Sequence, residues 1–215
     1  MSVYRVLREG DAPPGGRRHS EGSGSLATGE DARIAALERH VREFWRGHAV
    51  EPVTWEDNPV LDLVPGFATY RVAPRNEGEG WTYVTVGSSV HEAGGGTEFF
   101  LVAPTAERAH AETLGMVSHL HSFEEYRLDV GSVIDLGGPW TDGSRMDHLL
   151  VSPPYPYGPA LEWAPEEAGG ARFLWLLPIH RSEAALIGTE SLDAFEELLE
   201  AEGVNVLDLD RPPLF

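Results

Sequence analysis

The sequence predicts an α+β fold: a mixed, mainly antiparallel sheet with helices packed on it. Three observations lead there. Several short runs alternate with the period of two that a strand requires. Longer runs repeat apolar residues at helical spacing. The two kinds follow one another without the regular strand–helix–strand alternation of a doubly wound parallel sheet. With 215 residues the chain is long enough to bury a substantial core.

Residues 8–29, "REGDAPPGGRRHSEGSGSLATG", are rich in Gly, Pro and Ser and offer little to bury, so residues 1–29 are expected to form a flexible arm ahead of a folded domain over 30–215. "EDARIAALERHVREFWRG" follows, with Ile34, Leu37, Val41, Phe44 and Trp45 at helical spacing, acids at its start and Gly47 after its end. This is an amphipathic helix whose stripe faces the core. "GFATYRVAP" (66–74) and "WTYVTVG" (81–87) read as strands; in the second, Trp81, Tyr83 and Thr85 alternate with Thr82, Val84 and Val86. "TEFFLVAP" (97–104) alternates too, and Pro104 is placed to open a helix through Leu120, since proline's missing N–H is harmless at a first helical position. Short strands are expected over 131–137, 147–153 and 171–179, helices around 181–187 and 191–202, and an extended "RPPLF" at the end.

Composition excludes much chemistry. All sixteen basic residues are arginine and there is no cysteine. Without lysine there is no Schiff base and no phosphate-binding P-loop lysine; without cysteine there is no thiol nucleophile, disulfide or thiolate metal site. A net charge of −19 opposes nucleic acids and anionic membranes and suits a basic protein partner, or serves solubility alone. No apolar run is long enough to span a bilayer and the first residues lack a signal-peptide core, so a cytoplasmic protein is expected.

The glycine run Gly94–Gly96 matches neither phosphate-loop spacing and leads into a strand, so it reads as the turn of a hairpin. His91-Glu92 lacks the second histidine of a zinc-protease motif, because Gly95 stands in its place. His119 and His121 with Glu125 imitate the His-x-His…Glu triad of a cupin barrel. On a strand such a pair shares a face; on a helix, which the preceding periodicity favours, it points about 200° apart. No serine sits in a nucleophile elbow, and no pair of acids stands out as catalytic. Residues 183–210 hold nine acids and no arginine; Glu196, Glu197 and Glu200 point away from an apolar stripe, as a solubilising face or a docking surface for a basic protein.

"WTYVTVGSS" followed by "TEFFLVAP", then "VGSVIDLGGPW…GSRMDHLLVSPPYPYGP", "FLWLLPIHRSEAAL" and "DLDRPPL", resembles, in that order, the suppressor of fused (SUFU) domain family from about residue 30 to the end. The resemblance implies a SUFU-like α+β fold and a role as a non-catalytic protein-binding module without a cofactor. For the bacterial single-domain members it implies an immunity-protein-like role in a polymorphic toxin system, binding and neutralising or regulating a partner protein, here a basic toxin domain. The animal protein's second domain and its Hedgehog-pathway partner have no counterpart in this length, so that role is not carried over. Within this reading Trp140, Asp142, Tyr155 and Tyr157 join Glu196, Glu197 and Glu200 as partner-binding candidates, the aromatics standing either as surface anchors or as plugs at core edges. The alternative is a metal-dependent enzyme using His119, His121 and Glu125.

Overall fold

The computed structural model describes residues 5–7, 23–55, 58, 60–76, 78–90, 96–208 and 210–215. Eight strands form one sheet: β1 (Arg5–Leu7), β2 (Val50–Val53), β3 (Ala68–Val72), β4 (Trp81–Val86), β5 (Thr97–Ala103), β6 (Val133–Asp135), β7 (His148–Ser152) and β8 (Arg172–Ile179). Their order is β1-β6-β7-β8-β5-β4-β3-β2. Every pairing is antiparallel except that of β5 with β8, at the sheet's centre. The helices are α1 (Ser23–Phe44), α2 (Val60–Leu63), α3 (Arg108–His121), α4 (Pro159–Glu162), α5 (Arg181–Thr189) and α6 (Leu192–Ala201). The mixed, mainly antiparallel sheet is the one the sequence predicts.

Alternation sorts the strands' residues between two cores. Val84, Val86, Phe100, Val102, Trp175 and Leu177 face α1, whose Leu37, Val41 and Trp45 meet them, together with Phe195 of α6. Tyr83, Phe99, Leu101, Leu174 and Leu176 face Ala111, Leu114 and Val117 of α3. The central strands are therefore apolar on both faces, as a sheet covered on both sides must be.

The hairpin of β4 and β5 is held by a buried acid. Glu98, with no exposed surface, accepts from the Thr85 hydroxyl (2.5 Å), the Gly87, Ser88 and Ser89 amides (3.0, 3.3 and 3.0 Å) and the Ser89 hydroxyl (2.7 Å). Burial pushes this carboxyl up, against the pull of the donors from Thr85, Ser89 and Gly87. Gly87 has φ +103° and a Cβ there would lie 3.2 Å from the Phe67 Cα, so no other residue fits the turn comfortably. From outside, Arg33 of α1 donates to the carbonyls of Val90 (2.9 Å) and Ser89 (3.3 Å).

The C-terminal segment is pinned in a comparable way. Glu183 of α5 accepts from both terminal nitrogens of Arg211, one at 2.8 Å, and from the His180 amide at 2.9 Å. Both charged side chains are buried.

Several sequence expectations need correction. The arm expected over 1–29 contains β1, paired with β6, and ends early because α1 begins at Ser23; residues 1–4 and 8–22 lie outside the described residues. The long helix begins at Arg108 rather than Pro104, with Glu107 extended ahead of it. The connection from β4 to β5 is a hairpin, although His91, Glu92, Gly94 and Gly95 lie outside the described residues. The short β2, unread in the sequence, tolerates Pro52 because it is an edge strand.

Two outcomes test this packing. Glu98→Ala should destabilise the protein by at least about 3 kcal/mol in urea unfolding, because it strands buried donors; a loss below about 1 kcal/mol would contradict the anchoring role. His110 is buried on α3 between the rings of Tyr83 and Trp140, each 5.1 Å away, and neither ring nitrogen has a partner among the described residues. Burial pushes this imidazole below its ordinary value of 6.5, opposed by the charge of Glu107. The unfolded chain then binds the proton more readily, so the stability is whole above pH 6.5 and is lost as pH falls through that value to the native one. His110→Phe should flatten that acid limb in a pH series of unfolding curves, leaving the part contributed by His40, which burial lowers likewise.

Candidate partner-binding surface

Two exposed aromatic rings and a set of acids form one surface where β7 ends and β8 begins. The loop Pro153–Gly158 is stiffened by its prolines and by turn hydrogen bonds from Tyr155 to the Pro153 carbonyl (2.8 Å) and from Gly158 to that of Pro154 (2.7 Å). It turns Tyr155 outward, 62% exposed. The Tyr155 hydroxyl donates to Glu196 of α6 at 3.3 Å. Burial and then the Glu196 charge push that hydroxyl up, so it remains a donor at neutral pH. Asp193 and Glu162 add to the same field.

Trp163, 57% exposed, bridges to Arg172, where the chain doubles back through Gly169 and Gly170. The Arg172 guanidinium lies over the Trp163 ring, 5.5 Å from its centre. It donates to Glu162 at 2.9 and 3.0 Å and lies 3.7 Å from Asp129. Glu162 thus binds the cation that covers Trp163 and acts on Tyr155 as well, and the cation is already committed. The groove beside Trp163, about 590 Å3, is bounded by Arg172, Asp129 and His121. Such a surface offers rigid aromatic anchors in a negative field, with charge to steer a basic partner and rings to hold it.

The sequence candidates separate. Tyr155 and Glu196 come together here, and Glu197 and Glu200 lie exposed on the same helix. Tyr157, two residues on, turns inward: its ring packs edge-on against Phe44 and Trp45, and its hydroxyl meets Thr82. Trp140 is not a surface anchor. It is 6% exposed and belongs to the core beneath α3. Asp142 is exposed in the turn beyond it. The metal triad is not assembled, because His119 and His121 lie on a helix. His121 is buried against Phe99 and its Nδ1 accepts from the Leu128 amide at 2.9 Å, whereas His119 packs on Phe123 and Glu125 is exposed. Among the described residues no group of three or more acids and histidines could hold a metal ion. Trp163, Glu162 and Arg172 escaped the sequence reading, whereas Asp193 is among the nine acids of 183–210; the Gly169-Gly170 turn signal, which sets Trp163 opposite Arg172, could have found Trp163 and Arg172.

The family model for suppressor of fused protein (SUFU) matches residues 65–212. The chain is 31% identical to a protein described as a SUFU homolog from Neisseria gonorrhoeae FA 1090, whose crystal structure it matches with a TM-score of 0.76 over 86% of this chain and 97% of that one. A chain in the Sufu–Fu complex crystal structure matches at 13% identity with a TM-score of 0.62, over 86% of this chain and 93% of that one, a likeness of fold. No curated protein matches the sequence.

The aromatic residues differ in what their removal should do. Trp140→Ala should cost about 3–5 kcal/mol through loss of core packing, while Tyr155→Ala and Trp163→Ala should each leave stability within about 0.5 kcal/mol of the parent in the same unfolding assay.

Proposed function

The chain belongs to the suppressor of fused family, and from that premise we propose that it is a non-catalytic protein-binding module whose partner is a basic protein. The observation that carries the reading is the surface of Tyr155 and Trp163 with Glu162, Asp193 and Glu196 around them. Tyrosine and tryptophan on stiff loops lose little entropy on binding. A net charge of −19 speeds the approach of a basic partner. The related protein in the Sufu–Fu complex structure supports binding as the use of this fold. The finer reading is an immunity-protein-like role in the cytoplasm. The partner is then a basic toxin domain, and the acids occupy the surface it would otherwise offer to an anionic substrate.

The test is capture of partners from the native host's lysate on tagged protein, followed by affinity measurement with the purified partner. The expected partner is basic and stoichiometric, binds more slowly as salt rises, and loses about 30-fold in affinity on Tyr155→Ala with Trp163→Ala, the effect of a central anchor. A partner whose affinity is unchanged by this pair of substitutions and by reversal of Glu196, Glu197 and Glu200 to arginine would contradict the proposal.

A further inference from the structure

A second concavity lies where the end of α1 meets the loop between β3 and β4, with a volume of about 390 Å3. Three aromatic rings wall it. Phe44 and Trp45 stand at 78° with centroids 4.8 Å apart, Trp45 and Tyr157 at 88° and 5.4 Å, Phe44 and Tyr157 at 83° and 5.8 Å. The three rings pack edge to face on one another and form the apolar side of the cleft.

Glu79 is the one acid among the described residues of the lining. The Glu79 carboxylate stands at the rim, taking the amides of Arg75 (2.8 Å) and Asn76 (3.4 Å) on one oxygen and the Asn76 side-chain amide on the other. These bonds, the Arg75 amide first, hold its carboxyl below the usual range, so it is an anion at neutral pH. His48 donates from Nδ1 to the Ala73 carbonyl at 2.9 Å, because a carbonyl can only accept. No arginine is among the described lining residues, and Arg75 packs beside Gly47 outside them.

Aromatic rings and a carboxylate, with no arginine among the described lining residues, are the chemistry that receives an organic cation. Both Glu79 oxygens are already occupied by donors, so no free pair of oxygens matches the planar fork of a guanidinium. A compact ammonium needs no such pair. We propose that this cleft receives a lysine side chain of the basic partner, its methylene stem against the rings and its ammonium at Glu79. The assignment rests on the reading of the chain as a module for a basic protein. Tyr155 and Tyr157 then serve adjoining parts of one interface from a single loop.

The full chain labelled with 5-fluorotryptophan tests this by fluorine NMR. The Trp45 signal is assigned with Trp45→Phe, and the other five tryptophans report that each variant is folded. The probe is the blocked tripeptide Ala-Lys-Ala at millimolar concentration. A saturable shift of Trp45 is expected, weaker by about tenfold or more for the Nε-acetyl-lysine peptide, for Glu79→Gln and for Tyr157→Leu. No shift, or equal binding of the acetylated peptide, would overturn the assignment, as would unchanged binding by Glu79→Gln. The titration contains no partner protein, so its failure with capture intact removes the lysine cleft alone. Peptide binding with no basic partner captured would remove the partner's lysine as the occupant and the proposed function with it.

Discussion

Five donors converge on the Glu98 carboxylate inside the protein. A buried acid left without them carries a desolvation cost large enough to rival the stability of a whole domain. The turn after β4 therefore has one acceptable shape, the one that brings Thr85, Gly87, Ser88 and Ser89 onto those two oxygens. Thr85 does double duty, since its hydroxyl also accepts from the Phe99 amide at 2.9 Å. With that turn set, β4 and β5 are in register, and Arg33 can reach from α1 to the turn's carbonyls. The parallel pairing of β5 with β8 then carries the arrangement across the centre of the sheet to the end where Arg172 meets Trp163.

The motifs behind the family resemblance turn out to be structural. Gly87 and Ser89 of "TVGSS" answer to Glu98 of "TEFF", and Glu183 after "LLPIHRS" answers to Arg211 of "DLDRPP". Each pair is buried, and each acid is paired with donors that a distant segment supplies. Removing the donors of Glu98, or one member of the Glu183–Arg211 ion pair, strands a buried polar group, which is why a pattern of single residues can specify a fold so far apart in sequence. Nothing in these pairs touches the aromatic surface.

That division explains what could be read in advance. Strands β4, β5 and β8 and helices α1 and α6 were legible because their apolar residues keep period over several turns or pleats. Strands β1 and β2, of three and four residues, carry too little pattern to register. Pro104 looked like a helix start, yet the chain turns through Glu107 first. On the surface, Tyr155 and Glu196 were legible from a proline-stiffened loop and an acidic helix face. Trp140 looked identical in sequence terms, since a tryptophan beside a turn has no periodicity to say which way it faces; packing against His110 and the α3 cluster decided it. Trp163 became visible only through its bridge to Arg172.

One stiff loop, Pro153–Gly158, joins the fold to both proposed contacts: Tyr155 faces the acids of α6, and Tyr157 faces the ring-walled cleft. Hydrogen–deuterium exchange on the protein with its captured partner tests this most directly. Protection on complex formation is expected over 155–163, 193–200 and 78–82, with the surface of α3 unchanged. Protection confined to α3 or to the β2 edge, with the loop exchanging as in the free protein, would contradict the account.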